Sequence, residues 1–296
     1  MNEDINDKFV KYYFDSDKWH KNIYENATEG ARNHGLLNIT AQDFFASKLN
    51  ISLNTLEQNR IGQLLSKLDD TITLLQRKKG NYEELKKSLL QNLFLEKNKL
   101  EPILRFKTFS NKWQQRKLSY YLKEYKEKSK INNQYPILTS SRKGIFFQRD
   151  YYDGHQIASK NTVGYNIVPR GYFTYRHMSD DLVFHFNINN LCDYGIVSTL
   201  YPVFNVKNNM DKKWLYYYLN NSNDMKKYAL LQKQGGSRTY MYYSKLKNLS
   251  SNFPTKEEQK QIGNLLSKLD KTIISFQKQL DHLSRLKQFL LQNMFI

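Results

Sequence analysis

The chain has 296 residues, room for two compact units, and a formal net charge of +18 from 46 Lys and Arg against 28 Asp and Glu. A single cysteine, Cys192, excludes a disulfide framework and a cysteine-based zinc site, and fits a reducing cytoplasm. No apolar run approaches the roughly 20 residues of a membrane helix, and the opening MNEDINDKFV is acidic and polar, unlike a signal peptide, so the expectation is a soluble, cytoplasmic protein that does not engage a bilayer by spanning it.

Residues 1–52 are slightly acidic, with 6 basic and 8 acidic side chains. They contain FVKYYF, from Phe9, and EGARNHGLLNIT, from Glu29. Residues 53–99 then change character. Alternating steps of four and three pick out Ile61, Leu65, Leu68, Ile72, Leu75, Lys79, Tyr82, Lys86, Leu89 and Leu93, a heptad seam on an otherwise charged and amide-rich segment. Lys86 interrupts the seam, and Leu85 one residue earlier suggests a local shift. About 40 helical residues would span roughly 60 Å.

The middle block, 100–252, holds 24 basic and 10 acidic residues, so most of the charge excess sits there. A field concentrated in this way implies a polyanionic partner, nucleic acid first and an anionic membrane surface second. A general bias toward Lys and Asn is the plain alternative. YPILTSSRKGIFFQRDYY predicts strand, turn, strand; YNIVPRGYFTYR predicts two strands about Pro169-Arg170-Gly171; DYGIVSTLYPVFNV predicts another buried strand pair; and 211–233 returns to helix. Around the predicted turns lie Ser140, Ser141, Arg142, Lys143, Gln148, Arg149, Tyr151, Tyr152, Arg170, Tyr175 and Arg176, and KQGGSR adds Lys233, Gln234 and Arg238. Arg and Gln suit bidentate contacts to base edges and Lys suits phosphates; each residue alone could equally be an ordinary surface or core position. Tyr165, Phe173, Tyr201 and Phe204 are assigned to the core.

Residues 253–296 repeat the heptad pattern as Ile262, Leu266, Leu269, Ile273, Phe276, Leu280, Leu283, Lys287, Leu290 and Met294, with Lys287 interrupting where Lys86 does and Leu286 preceding it. From Glu57 to Phe94 and Glu258 to Phe295 the two segments align without a gap, with 20 of 38 positions identical. The likeness extends upstream: FVKYYF resembles WLYYYL, from Trp214, and Gly30-Ala31-Arg32 falls over Gly236-Ser237-Arg238. Neither helix could bury its stripe alone. The economical partner is the other repeat in an intramolecular coiled coil centred on Ile61, Leu65, Leu68, Ile72, Leu75, Leu89, Ile262, Leu266, Leu269, Ile273, Phe276 and Leu290; two amphipathic helices lying on separate cores would be the alternative. Direction does not follow from the pattern, but a pseudo-twofold arrangement of duplicated halves requires antiparallel packing. The predicted class is α+β: one mixed α/β domain plus two long paired helices.

Chemistry-bearing motifs are few. GxxxxGK[ST] and GxGxxG are missing, as is the Asn/Asp-Pro-Pro-aromatic tetrapeptide of amino-methyltransferases, and six histidines show no metal-ligand spacing. Asp180-Asp181 reads as a solvated turn. The chain is expected to bind without catalysing and to carry no cofactor or metal of its own.

In their order, LRFKTFSNKWQQRKL (from Leu104), SSRKGIFFQRDYY, GYNIVPRGYFTY, DYGIVSTLYPVF, WLYYYL…GGSR and FPTKEEQKQIGNLLSKLDKTI, with LNTLEQNRIGQLLSKLDDTI in the first repeat, resemble the specificity subunit of a type I restriction–modification enzyme over essentially the whole chain. The resemblance implies target recognition domains that each read one half of a bipartite sequence in double-stranded DNA, and two conserved helices that form an antiparallel coiled coil acting as a ruler. It also implies partners: modification subunits, normally two, that use S-adenosylmethionine to methylate adenine, and restriction subunits driven by ATP and Mg. Family members begin with a complete first recognition domain, whereas residues 1–52 resemble only the end of one. The expectation is therefore a remnant at 1–52, a first helix at 53–99, a complete recognition domain at 100–252 and a second helix at 253–296. An N-terminally truncated gene, a fragment complemented by a separate polypeptide, and a cassette in a shuffling locus all fit. A coiled-coil interaction protein, or a silent fragment without DNA recognition, is the rival reading.

Overall fold

The computed structural model describes residues 5–20, 28–29, 37–38, 40–46, 49–95, 99–155, 158–233 and 237–295. The chain divides into two compact units, 1–83 with 271–296, and 84–270. Two 38-residue helices, α3 (Thr55–Asn92) and α8 (Lys256–Asn293), contribute to both.

The first unit contains α1 (Asp7–Asp15), the two-residue strands β1 (Thr28–Glu29) and β2 (Leu37–Asn38), the short helix α2 (Ala41–Ala46), and residues 55–83 and 271–293 of the long helices. Asn6 starts α1, its side chain accepting from Phe9 N at 2.9 Å, and Asn54 starts α3 by accepting from Leu56 N and Glu57 N, the ordinary role of Asn at an N-cap. Phe9, Tyr12 and Tyr13 of α1 pack with Ile61, Leu65 and Phe295, and the Phe9 and Phe295 rings lie 5.2 Å apart. Phe295 belongs beside the first turns of α3 only if the two helices run antiparallel. The Tyr82–Phe276 ring contact, at 5.5 Å, agrees.

The second unit starts with the last turns of α3 and ends with the first turns of α8. Between them come β3 (Gln114–Lys117), a 3₁₀ turn, β4 (Leu122–Tyr125), β5 (Leu138–Ser141), β6 (Gly144–Phe147), α4 (Gln148–Tyr151), β7 (Asn166–Pro169), β8 (Phe173–Tyr175), β9 (Met178–Ser179), β10 (Phe186–Ile188), β11 (Tyr194–Val197), β12 (Val203–Val206), α5 (Lys212–Asn221), α6 (Asn223–Leu231), β13 (Thr239–Tyr240), α7 (Tyr243–Leu246) and β14 (Ser250–Phe253). The main sheet has the antiparallel order β10-β8-β12-β4; β5–β6, β7–β11, β9–β13 and β3–β14 form two-stranded ribbons. Phe173 and Phe204 are cross-strand partners with stacked rings 5.0 Å apart. The predicted strands on either side of Pro169-Arg170-Gly171 exist, but β7 and β8 enter different sheets, as do β11 and β12. Alternation within each run is legible locally; the neighbour each strand chooses depends on residues far away in the chain. Helix runs from Lys212 to Leu231 with a break at Ser222, which caps the second helix.

One joint occurs in both units. Asn6 N donates to Gln58 Oε1 at 3.0 Å, and Asp211 N to Gln259 Oε1 at 2.8 Å; the amide groups of Gln58 and Gln259 donate back to Ser52 O and Pro254 O. A Cβ at Gly62 would lie 2.9 Å from Asn6 Oδ1, and one at Gly263 would lie 2.8 Å from Asp211 Oδ1. Glycine is thus required in the interior of each long helix because a capped helix end presses on it. The FVKYYF and WLYYYL likeness marks α1 and α5, whose Phe9 and Trp214 occupy matching places. Positions 30–32 and 236, also matched by sequence, lie outside the described residues.

Along the seam, Ile61, Leu65, Leu68, Ile262, Leu266, Leu269 and Leu280 are buried, and Ile72, Leu75, Leu89, Ile273, Phe276 and Leu290 are half-buried. The expected shift onto Leu85 and Leu286 does not occur: they are 47% and 38% exposed, and Lys86 and Lys287 stay on the seam, each bonded to an aspartate of the facing helix.

The opening of the middle block has a structural task. Arg105 forms a bidentate pair with Glu258 at 2.8 and 2.9 Å, and Trp113 Nε1 donates to the same carboxylate at 3.4 Å. Glu258 lies fully buried in the first turn of α8, so Arg105 and Trp113 tie the start of the domain to the start of the second helix.

Candidate nucleic-acid interface

The β5–β6 hairpin, α4 and the segment 176–180 enclose a cleft of about 690 Å³, bordered also by Tyr165, His185, Leu200 and Tyr201. Eight of the fourteen expected contact residues line it: Ser140, Ser141, Arg142, Lys143, Gln148, Tyr151, Tyr152 and Arg176. The local sequence explains the hairpin. Ser141 Oγ accepts from Lys143 N and donates to Gly144 O, and Gly144 takes φ +131°, so the two-residue tip presents Arg142 and Lys143 outward.

These residues are not equally free. Ser140 is buried, its hydroxyl donating to Thr174 O and accepting from Asn187. Gln148 spends its amide on Thr139 Oγ1 and Ala158 N. Both build the cleft wall. Lys143, Arg149 and Arg176 are exposed, with no acidic partner among the described residues. Tyr151 lies between Phe146 and Tyr152, with ring separations of 5.3 and 4.9 Å.

Asp180 and Asp181 are more than a solvated turn. Arg142 is paired with Asp181, and Arg238 Nε donates to Asp180 Oδ1 at 2.9 Å. The Arg142 guanidinium and the Ser179 hydroxyl hold the Asp181 carboxyl down at about 2, so it is ionised throughout the neutral range. Burial, and then the charge of Arg142, push His185 below the ordinary imidazole value, which keeps it neutral at pH 7 and leaves the positive field to the guanidinium and ammonium groups.

Five of the expected residues, Arg149, Arg170, Tyr175, Lys233 and Arg238, lie outside this cleft's lining. Arg170 binds Asp193 at 2.9 Å and the carbonyl of Asn190 at 2.8 Å, bracing its own loop. Tyr175 is fully buried and donates to Met241 O; β8 is an inner strand covered on both faces, so its side chains do not alternate between core and solvent. Lys233 is exposed beyond the cleft lining, and Gln234 lies outside the described residues. Of the residues assigned to the core, Tyr165 and Tyr201 line the cleft half-buried, Tyr201 also packing against the core formed by Leu138, Val168, Val197 and Val203. Sequence reasoning also missed an aromatic ladder beside Arg238: His177 stacks on Tyr242 at 4.8 Å and approaches Tyr240 at 5.8 Å, with both tyrosines partly exposed. The run TYMYY was the available signal.

Among the described residues no group of His, Cys, Asp and Glu is arranged to hold a metal, and no helix is long and apolar enough to cross a membrane. Solved structures share the fold: the HsdS subunit from Thermoanaerobacter tengcongensis at 16% identity and TM-score 0.51, covering 96% of this chain and 68% of that one; and the type I restriction–modification S subunit from M. genitalium at 15% identity and TM-score 0.56, covering 99% and 73%. A third, from a study of complex assembly and conformational transition of the type I R-M system, has 14% identity and TM-score 0.52, covering 98% and 70%. No curated protein sequence matches. The model of the type I restriction modification DNA specificity domain matches residues 80–285, more than half of the chain, and the chain belongs to that family.

Proposed function

We propose that residues 100–252 are a target recognition domain that reads duplex DNA through the cleft and its cationic border. The carrying observation is the convergence of Arg142 and Lys143, from the hairpin tip, and Arg176, from a second segment, on one concavity with tyrosines in its walls. Its volume is within the range of small-ligand pockets, but such pockets are mostly apolar with few charges, whereas this one has three cations in its lining. Lys143, Arg149, Arg176 and Lys233 suit phosphates; Arg142 and Arg238, held by Asp181 and Asp180, suit base edges, because a fixed guanidinium fork can form bidentate bonds.

In this reading the chain is a non-catalytic subunit that recognises one half of a bipartite target. The helices at 53–99 and 253–296 hold the spacing and offer a scaffold to modification subunits, normally two, and to restriction subunits, on which S-adenosylmethionine, ATP and Mg would act. Residues 1–52 are the counterpart of the recognition domain's end, a reading supported by the matched joints at Gln58 and Gln259.

The test is duplex binding by fluorescence anisotropy as salt is varied, with the cognate modification subunit co-expressed and the native mass of the complex recorded. Several phosphate contacts predict a log–log slope near −0.9 per contact. Arg176→Ala and Arg149→Ala each reduce the slope by about 1, while Arg170→Ala leaves it unchanged. A flat salt response, or equal effects at all three positions, sinks the assignment.

A further inference from the structure

The two seam lysines form matched triads. In the first unit Lys287 Nζ lies 2.6 Å from Asp69 Oδ1, and Tyr12 OH donates to Asp69 Oδ2 at 2.9 Å. In the second, Lys86 Nζ lies 2.5 Å from Asp270 Oδ1, and Tyr217 OH donates to Asp270 Oδ2 at 2.5 Å. The duplication carries Asp69 to Asp270 and Lys86 to Lys287, so each triad is the image of the other. In both, the tyrosine comes from the short helix at the joint, the aspartate from the adjoining long helix and the lysine from the facing one. All four charged side chains are less than one-third exposed.

We infer that these triads are the register lock of the helix pair, selecting one axial alignment and leaving most of the stability to the apolar seam. The apolar stripe cannot select alone: a slide of one heptad replaces leucine and isoleucine with more of the same. The charges forbid it. In the observed alignment the residue numbers of the two Lys–Asp pairs have the same total, as a single antiparallel register requires. A slide of seven residues one way puts Lys86 opposite Gly263 and Lys287 opposite Gly62; the other way puts them opposite Gln277 and Gln76. Asp69 then faces Leu280 or Met294. Each slip leaves both lysines without a carboxylate, in a seam that water reaches poorly, and leaves Asp69 only the exposed Lys11 as a cation, at 3.9 Å. Removing one partner of such a pair is costly, whereas replacing the whole set by apolar groups often is not; a polar group at a core position specifies register by the same asymmetry.

The inference deepens the recognition reading, since register is what would fix the gap between half-sites, but its test needs no DNA. In the full-length chain with Cys192→Ser, cysteine pairs at 82 and 276 report the observed register and pairs at 82 and 283 or 82 and 269 report heptad slips, by disulfide yield under mild oxidation. With the triads intact, only the first pair forms a disulfide in quantity. The variant Tyr12→Phe, Asp69→Leu, Lys86→Leu, Tyr217→Phe, Asp270→Leu, Lys287→Leu is expected to melt at or above the parent temperature while slipped disulfides rise on the order of tenfold. Exchanging the charges within both pairs (Asp69→Lys with Lys287→Asp, and Asp270→Lys with Lys86→Asp) restores the single register. An apolar variant that keeps the single register overturns the inference. So does one that fails to fold, because the triads would then supply stability. If the register result holds while duplex binding shows no salt dependence, the lock stands and the recognition reading falls.

Discussion

Replacing Gly263 by alanine should destabilise the protein although alanine is the better helix former. Intrinsic propensity favours the substitution by about 1 kcal/mol. Against that, the new Cβ would sit 2.8 Å from Asp211 Oδ1, 2.8 Å from Trp214 N and 3.0 Å from Lys213 Cβ. Comfortable separations begin near 3.5 Å, so the first turn of α5 must retreat by about 0.5–0.7 Å. That turn cannot yield cheaply. Asp211 Oδ1 caps it by accepting from Trp214 N, Asp211 N is bonded to Gln259, and Trp214 is fully buried among Phe94, Tyr218 and Phe253. Weakening the cap costs about 1 kcal/mol and overpacking about 1–3 kcal/mol, leaving a net loss of about 1–3 kcal/mol after the propensity gain. For units of this size each kcal/mol lowers Tm by about 2–4 °C. Thermal unfolding followed by circular dichroism measures it. Gly62→Ala should behave alike, since its Cβ meets Asn6 Oδ1, Lys8 Cβ and Phe9 N at 2.9–3.0 Å. Gly80, in α3 with nothing within 4 Å, is the control: Gly80→Ala should raise stability by up to about 1 kcal/mol. A Gly263→Ala protein melting at or above wild type, or a Gly80→Ala protein falling as far, would refute the close-approach argument.

Arg105→Ala strands the buried Glu258 carboxylate and should cost about 3–5 kcal/mol in urea unfolding, well beyond a surface ion pair; a loss below 1 kcal/mol would mean that Glu258 finds another partner. Asp180→Asn with Asp181→Asn frees Arg238 and Arg142 for phosphates; binding to non-cognate duplex should tighten and the salt slope steepen by up to about 2 units, whereas a weaker and shallower response would contradict an orienting role for these carboxylates. Burial alone would raise the Asp69 carboxyl, but the bonds from Lys287 and Tyr12 and the nearby lysine charges bring it below its usual value. Its contribution to stability is therefore present above the unfolded carboxylate range and lost as pH falls through the lower folded value. The stability gap between wild type and Asp69→Asn should close in acid below about pH 4, and a pH-independent gap would count against the shift.

The long helices were legible because their signal is local and periodic, with thirty-eight residues each repeating one spacing. The strands β5, β6, β7, β8, β11 and β12 were legible for the same reason, and β5 pairs with β6 across the expected turn, but the partners of the other four were not legible, since β4 meets β12 some eighty residues later. The candidate site divided along the same line. Arg142, Lys143 and Arg176 could be picked from turns and charge. That Ser140 and Gln148 are consumed by internal hydrogen bonds, that Tyr175 is core, and that Arg170 braces a loop all depend on contacts between segments remote in sequence. The role of Asp180-Asp181 was hidden for that reason too: its partners lie 39 residues before and 58 residues after.

The distribution of identities between the repeats follows what each stretch touches. Over 57–72 against 258–273, 12 of 16 positions are the same, and over 85–94 against 286–295, 7 of 10. Between them, over 73–84 against 274–285, only Gln76 and Gln277 agree. The outer stretches carry the joint glutamines, the close-approach glycines, the aspartates and lysines of the triads, and the terminal Phe94 and Phe295, each engaged in a directional or sterically exact contact. The middle needs only an apolar face, which Tyr82 against Phe276 supplies with unlike residues, and apolar packing of similar volume tolerates such exchange. Heptad periodicity alone would have preserved leucines evenly along the helix. Its uneven retention implies that the duplicated object under constraint is the joint between a domain end and a helix, with the register triad as part of it, and that the intervening rod was free to drift within the limits of its stripe.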